Sequence, residues 1–153
     1  MRISAKADYA VRAALVLAGS TSDRLTADQI AQAQQIPARF LESVLRDLRT
    51  AAVVTSQRGA HGGHRLSRPP QEVTLGEVIR AIDGPLVFVN GERPSDLTYH
   101  GEAEHLLSVW VAVRVAVRRV LDEVTLADVL SSELPGSVAV LVESAGAWSN
   151  DPS

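Results

Sequence analysis

Apolar side chains recur at three- and four-residue steps along most of this chain and give way once to short β-branched runs, so the period of the pattern divides it. Ser4 caps a first helix, running to about Ala18 and ended by Gly19, in which Tyr9, Val11, Ala14, Leu15 and Leu17 are covered while Lys6, Asp8 and Arg12 stay wet. Thr26 caps a second helix, Ala27 to about Gln34, with Ile30 and Ala31 facing inward. After the short link Gln34-Gln35-Ile36, Pro37 opens a third helix. Phe40, Leu41, Val44, Leu45 and Leu48 make its core face; Arg39, Glu42, Ser43, Arg46 and Arg49 fall on the other side. Two short helices joined by a sharp turn predict a helix-turn-helix, whose second member reads the major groove. The period then shortens: Val53-Val54-Thr55-Ser56, a turn from Arg58 to Gly63, and His64-Arg65-Leu66-Ser67 predict strand, turn, strand.

Arg68-Pro69-Pro70 closes this unit, and Thr74 caps a helix through Ile82, ended by Gly84-Pro85, with Leu75, Val78, Ile79 and Ile82 inside. Residues 85–101 read as a loop. Glu102 starts the longest helix, to about Val124, in which Leu106, Trp110, Val113, Val117, Leu121 and Val124 form a seam for a partner helix. Leu107, Val109, Val111, Val115 and Val120 make its flanks apolar too, so it needs cover on more than one side. Dimerisation supplies that cover economically, since a few hundred Å² of apolar burial stabilises by several kcal/mol at ~25 cal/mol per Å²; an internal helix of a monomer is the alternative. Arg114, Arg118 and Arg119 would be its wet side with Asp122 and Glu123. Thr125 begins a short helix through Leu130, Ser137 to Val142 is an apolar run of uncertain type, and Ala145 to Ser153 is a loose tail with an isolated Trp148. The expected fold is mainly α with a small β-hairpin. Its divisions are a winged helix-turn-helix domain with a packing helix (1–84), a loop (85–101), a dimerisation helix with a short helix after it (102–134) and a C-terminal segment (135–153).

Composition narrows the class. With 46% hydrophobic and 22% charged residues the chain is globular rather than disordered. It has no cysteine, which removes disulfides and thiolate chemistry and fits the cytoplasm. No secretion signal or membrane span is expected. The net charge of −3 hides a segregation: residues 1–70 hold ten Lys/Arg and five Asp/Glu, net +5, and residues 71–153 hold five and thirteen, net −8. A basic half joined to an acidic one suits a DNA-binding domain with a second module, although chance clustering on solvated surfaces gives the same count. Arg58 and Arg65 bracket the hairpin tip, Gly59, Gly62 and Gly63 permit close approach to phosphate, and His61 and His64 either add hydrogen bonds or are simply solvated.

The run Ser4 to Ala13, Asp28-Gln29-Ile30-Ala31, Ile36-Pro37-Ala38-Arg39-Phe40-Leu41, Val54-Thr55-Ser56-Gln57-Arg58-Gly59, Gly62-Gly63, Arg65-Leu66-Ser67, Val73 to Val78 and Ala81-Ile82-Asp83-Gly84 resembles the Rrf-two-type family of small bacterial winged-helix transcriptional regulators over roughly residues 1–130. The resemblance implies a homodimer on double-stranded DNA, at a partly palindromic operator, with the third helix in the major groove and the wing on the minor groove. Candidate DNA contacts are then Lys6, Tyr9, Thr26, Arg39, Phe40, Glu42, Ser43, Arg46, Arg49, Arg58, Gly59, His61, His64 and Arg65. Pro37, Arg39 and His64 depart from the family pattern, so no operator sequence carries over.

Family sensors carry three cysteines for an iron-sulfur cluster in the loop corresponding to residues 85–101, and this chain has none, so no cofactor is expected. Asp8 stands where some relatives supply an acidic cluster ligand. His100, Glu102, Glu104 and His105 form a carboxylate and imidazole group that suits a metal if the side chains converge; a solvated helix start and a surface carboxylate are the plainer readings. The expected function is a DNA-binding regulator, most simply a repressor, with an unidentified small-molecule effector or none. The alternatives are a metal- or redox-responsive regulator and a winged-helix module that binds protein. No nucleotide loop, activated nucleophile or paired carboxylates point to an enzyme.

Overall fold

The computed structural model describes residues 2–144 and 146–149; Ala145 and residues 150–153 of the expected tail lie outside the described residues. Helix α1, Ala5–Gly19, is the centre of the molecule. Ser4 caps it, its Oγ accepting from Ala7 N at 3.0 Å. Ala7, Ala10, Ala13 and Ala14 are fully buried, and side chains that small let α1 lie against several neighbours at once. These are α2 (Ala27–Gln34), α3 (Ala38–Thr50), α4 (Leu75–Asp83), α6 (Leu126–Ser131) and strand β2 (Gly63–Leu66).

α2 begins at a capping box, Thr26 Oγ1 accepting from Gln29 N at 3.2 Å and Gln29 Oε1 from Thr26 N at 2.8 Å. Gln35 ends it in the left-handed region, φ 52°, and Pro37 turns the chain directly into α3. Leu41, Val44, Leu45 and Leu48 are buried as expected. Phe40, expected on the same face, is instead surface-exposed: at 100° per residue it sits about 100° from Leu41, at the edge of the stripe.

Strand β1, Val54–Gln57, pairs antiparallel with β2 in the register Val54↔Leu66 to Gln57↔Gly63, one residue offset from the expected strands. Leu25 forms an isolated antiparallel bridge to β2 through its N–H to His64 O (2.9 Å) and His64 N–H to Leu25 O (2.7 Å). Gly63, at φ 137°, is needed here, because a Cβ would stand 2.7 Å from the Leu25 carbonyl oxygen.

α4 packs on α1, and Asp83 at its end accepts from Ser4 N (3.0 Å) and Ser4 Oγ (2.5 Å). The longest helix, α5, spans Leu106–Glu123 and so starts later than expected, after a single 3-10 turn, Gly101–Ala103. Residues 85–101 are not structureless: Val87 and Pro94 are buried, and a 3-10 turn at Pro94–Asp96 packs against α5. At its far end α5 is stitched to the body. Leu75 N donates to Val124 O and Leu126 N to Val73 O, both at 2.9 Å, and Leu126 is fully buried. The apolar run near the C-terminus is helix α7, Gly136–Glu143. Trp148 is 84% exposed, with its indole N–H donated to Val142 O.

The expected seam of α5 divides. Val124 is buried and Leu121 faces α4 and the Ser4–Asp83 tie, so both serve the chain's own body. Leu106, Trp110 and Val117 are half-buried. The exposed apolar stripe is Val109, Ala112, Val113 and Ala116, with Val115 beside it. A helix apolar all round leaves its pattern unable to choose which stripe faces inward.

Candidate nucleic-acid interface

The outer face of α3 carries Arg39, Glu42, Arg46 and Arg49 into solvent, with Ser43 half-buried between them and accepting from Arg46 at 3.3 Å. Among the described residues no carboxylate pairs with Arg39 or Arg49, nor with Arg58 on the wing. Unpaired guanidiniums on a helix-turn-helix are available to an incoming anion at no cost of breaking an ion pair. Arg39 lies over the Phe40 ring, Cζ 4.8 Å from its centroid, and Phe40 meets Tyr9 of α1 at 5.7 Å. The exposed Phe40 thus acts as a shelf that positions Arg39. Arg12 continues the row over Tyr9 at 5.4 Å, bonds Asp8 at 3.2 Å and reaches the Gln34 carbonyl at the end of α2. That role of Arg12 went unread in the sequence, although the Asp8/Arg12 spacing of four is a helical pair.

The hairpin tip presents Arg58, Gly59 (φ 106°) and His61, all exposed. His64 is not at the tip. It is half-buried on β2, with Nδ1 2.6 Å from Ser56 Oγ, and shares with Glu42 and Arg49 a groove of about 350 Å³ between α2, α3 and β2. Burial first, then the charges of Arg49 and Arg24, hold its pKa below the usual histidine value, which keeps the ring neutral at pH 7.

Three other expected contacts are already engaged. Lys6 pairs with Asp47 of α3 at 2.5 Å, the Thr26 hydroxyl serves the α2 cap, and Arg65 turns back to Asp23 at 3.0 Å. The Arg65 pair is exposed on both sides and therefore weak enough to exchange for a phosphate. Arg24, unread in the sequence, donates to Gly63 O at 3.4 Å and braces the wing.

Among the described residues no three His, Cys, Asp or Glu side chains converge as metal donors, so Asp8, His100, Glu102, Glu104 and His105 form no site within one chain. Asp8 is committed to Arg12. No helix among the described residues is long and apolar enough to cross a membrane.

A family model, Rrf2, described as an iron-dependent transcriptional regulator, matches residues 3–132. Rv1287 of Mycobacterium tuberculosis, assigned by name to the HTH-type transcriptional regulators, is 46% identical over 144 residues, covering 94% of this chain and 89% of that one. CymR of Bacillus subtilis, an HTH-type transcriptional regulator, is 33% identical over 132 residues, covering 86% and 91%. Its solved structure, described as that of the global cysteine regulator, superposes with a TM-score of 0.68 at 32% identity over 86% of this chain and 98% of that one. IscR of T. potens gives 0.69 at 32% identity, over 86% and 88%. The iron-dependence in the family's description does not fit a thiolate-bound cluster here, because the chain has no cysteine to ligate one. The winged helix-turn-helix, the arginines along it and a family match over most of the chain lead to one conclusion: the protein belongs to the Rrf2 family of HTH-type, DNA-binding transcriptional regulators.

Proposed function

We propose that the chain is a homodimeric, sequence-specific repressor that binds a partly palindromic operator in the cytoplasm and works without an iron-sulfur cluster. The observation that carries this reading is the row of guanidiniums along α3 and the wing, Arg39, Arg49 and Arg58, that have no carboxylate partner among the described residues. In the major groove Arg39 suits the paired acceptors of guanine and Glu42 the amino group of cytosine, while Arg46, Arg49 and Arg58 suit phosphates. One helix reads few base pairs. A two-fold partner doubles the site and makes it palindromic, and the exposed stripe Val109, Ala112, Val113 and Ala116 of α5 gives such a partner an apolar surface to cover. A dimer seated on a promoter excludes other proteins, which is repression in its simplest form.

The test is fluorescence anisotropy with fragments of the source genome, including the gene's own promoter. Saturable binding is expected, with log K falling against log salt by about 0.9 per phosphate contact. A flat titration at low salt with every fragment would remove this reading.

A further inference from the structure

The acidic half of the chain, residues 71–153, has only five Lys/Arg, all arginine, and four of them, Arg80, Arg93, Arg114 and Arg118, line one pocket. It lies between the end of α4, the segment after it and the middle of α5, has a volume of about 400 Å³, and has an apolar floor that includes Pro85 and Val87. Arg118 is exposed and Arg114 half-buried, in keeping with the solvated face expected of them, and both border this segment. Among the described residues the one carboxylate paired with any of the four is Asp122, 2.5 Å from Arg80 and 3.4 Å from Arg118. Among the described residues Arg93 and Arg114 have no carboxylate partner. We propose that this pocket binds a small organic anion, a carboxylate, phosphate or sulfonate head on an apolar body, with Arg93 and Arg114 as its main ligands.

The chemistry follows from the lining. Several guanidiniums gathered around one carboxylate leave an excess of like charge that a guest anion offsets, and arginine's planar fork meets an oxyanion with two parallel hydrogen bonds. The volume is that of a small-molecule site, and the apolar floor favours a ligand with a body over a bare inorganic ion. One wall is built closely. Gly76 lets α4 approach α5 so far that an added Cβ would overlap the Asp122 carboxylate and stand 3.1 Å from the Leu121 carbonyl carbon. Asp122 is thereby held where it orients Arg80 and Arg118 and leaves the other two arginines to the ligand. Asp83, beside the pocket's Gly84, holds the Ser4 cap of α1, and α1 reaches α3 through Lys6 and Tyr9. An effect of the anion on DNA affinity runs through this path and rests on the regulator reading; the binding itself does not.

The full chain is titrated, without DNA, with anilinonaphthalene sulfonate and with the same dye lacking the sulfonate. Saturable binding of the anionic dye, one per chain, is expected, weakened about tenfold or more in Arg93→Gln/Arg114→Gln and unchanged in Arg119→Gln, the fifth arginine. Circular dichroism confirms that the variants fold. Equal binding of the neutral dye, or equal binding by the double variant, would overturn the proposal, since either makes the site a general apolar patch. A second arm adds a bound promoter fragment. A change in DNA affinity with saturating dye in the wild type alone supports the regulatory role; unchanged affinity removes that role. A chain that binds the dye and no DNA would instead sink the repressor reading.

Discussion

Individual arginines on the proposed DNA face differ in their settings, and the settings separate the tasks expected of them. Arg58, at the wing tip, has no carboxylate partner among the described residues, so Arg58→Ala should weaken all duplexes alike and lower the salt slope by about one phosphate contact. Arg39 is positioned by the Phe40 ring, so Arg39→Ala should relax preference at particular base pairs by ~1–3 kcal/mol, read by selecting bound sequences from a random pool. The opposite pattern would exchange the two roles. His64 makes a prediction in pH. Its folded pKa is lowered, so the unfolded chain binds more protons; its contribution is complete above the unfolded value of 6.5 and is lost as pH falls toward the lowered value. The urea midpoint should therefore drop as the pH falls below the unfolded value of 6.5, and drop less in His64→Gln. A neutral His64 also leaves the charge of the wing to Arg58 and Arg65. The arginines on the outer face of α3 were legible from periodicity alone. The engagement of Lys6 by Asp47 and of Arg65 by Asp23 was not, since each partner is about forty residues away in the chain.

Among the elements, α1 and the caps carry most of the organisation. Ser4 caps α1 and also holds Asp83 of α4, so Ser4→Ala removes a cap and a tie between helices in one change. Loss of roughly 1–2 kcal/mol of stability is expected in denaturant unfolding, with an unchanged m-value. A loss no larger than that of an exposed serine elsewhere would show the tie to be idle. The caps at Ser4, Thr26 and Thr74 were readable because an N-cap is a local event, a side chain bonding a backbone N–H a few residues away. The bridge from Leu25 to β2 was not readable, because it joins segments about forty residues apart.

For the whole molecule the decisive surface is α5. Its exposed Val113 (39%) and Val109 (52%) lie on the stripe we propose a second copy covers. Val113→Glu should shift sedimentation from dimer to monomer, leave the circular dichroism spectrum intact and weaken operator binding at nanomolar protein. Unaltered sedimentation would place the interface elsewhere. The charge segregation belongs to this scale as well. The +5 half carries the proposed DNA face, while four of the five arginines of the −8 half gather at one pocket.

The sequence by itself determined the helix-turn-helix, the wing, the caps and the outward set on α3. These rest on periods of 3.6 and 2 and on capping within a few residues, which a single stretch of chain contains in full. Only the tertiary structure decided which stripe of α5 is left open, that Phe40 supports Arg39 instead of filling the core, that His64 is drawn into a groove, and that Arg80, Arg93, Arg114 and Arg118 converge. Each of these depends on where one element crosses another, and the crossing is set by packing of the buried alanines of α1 and the close approach at Gly76. No local pattern encodes that.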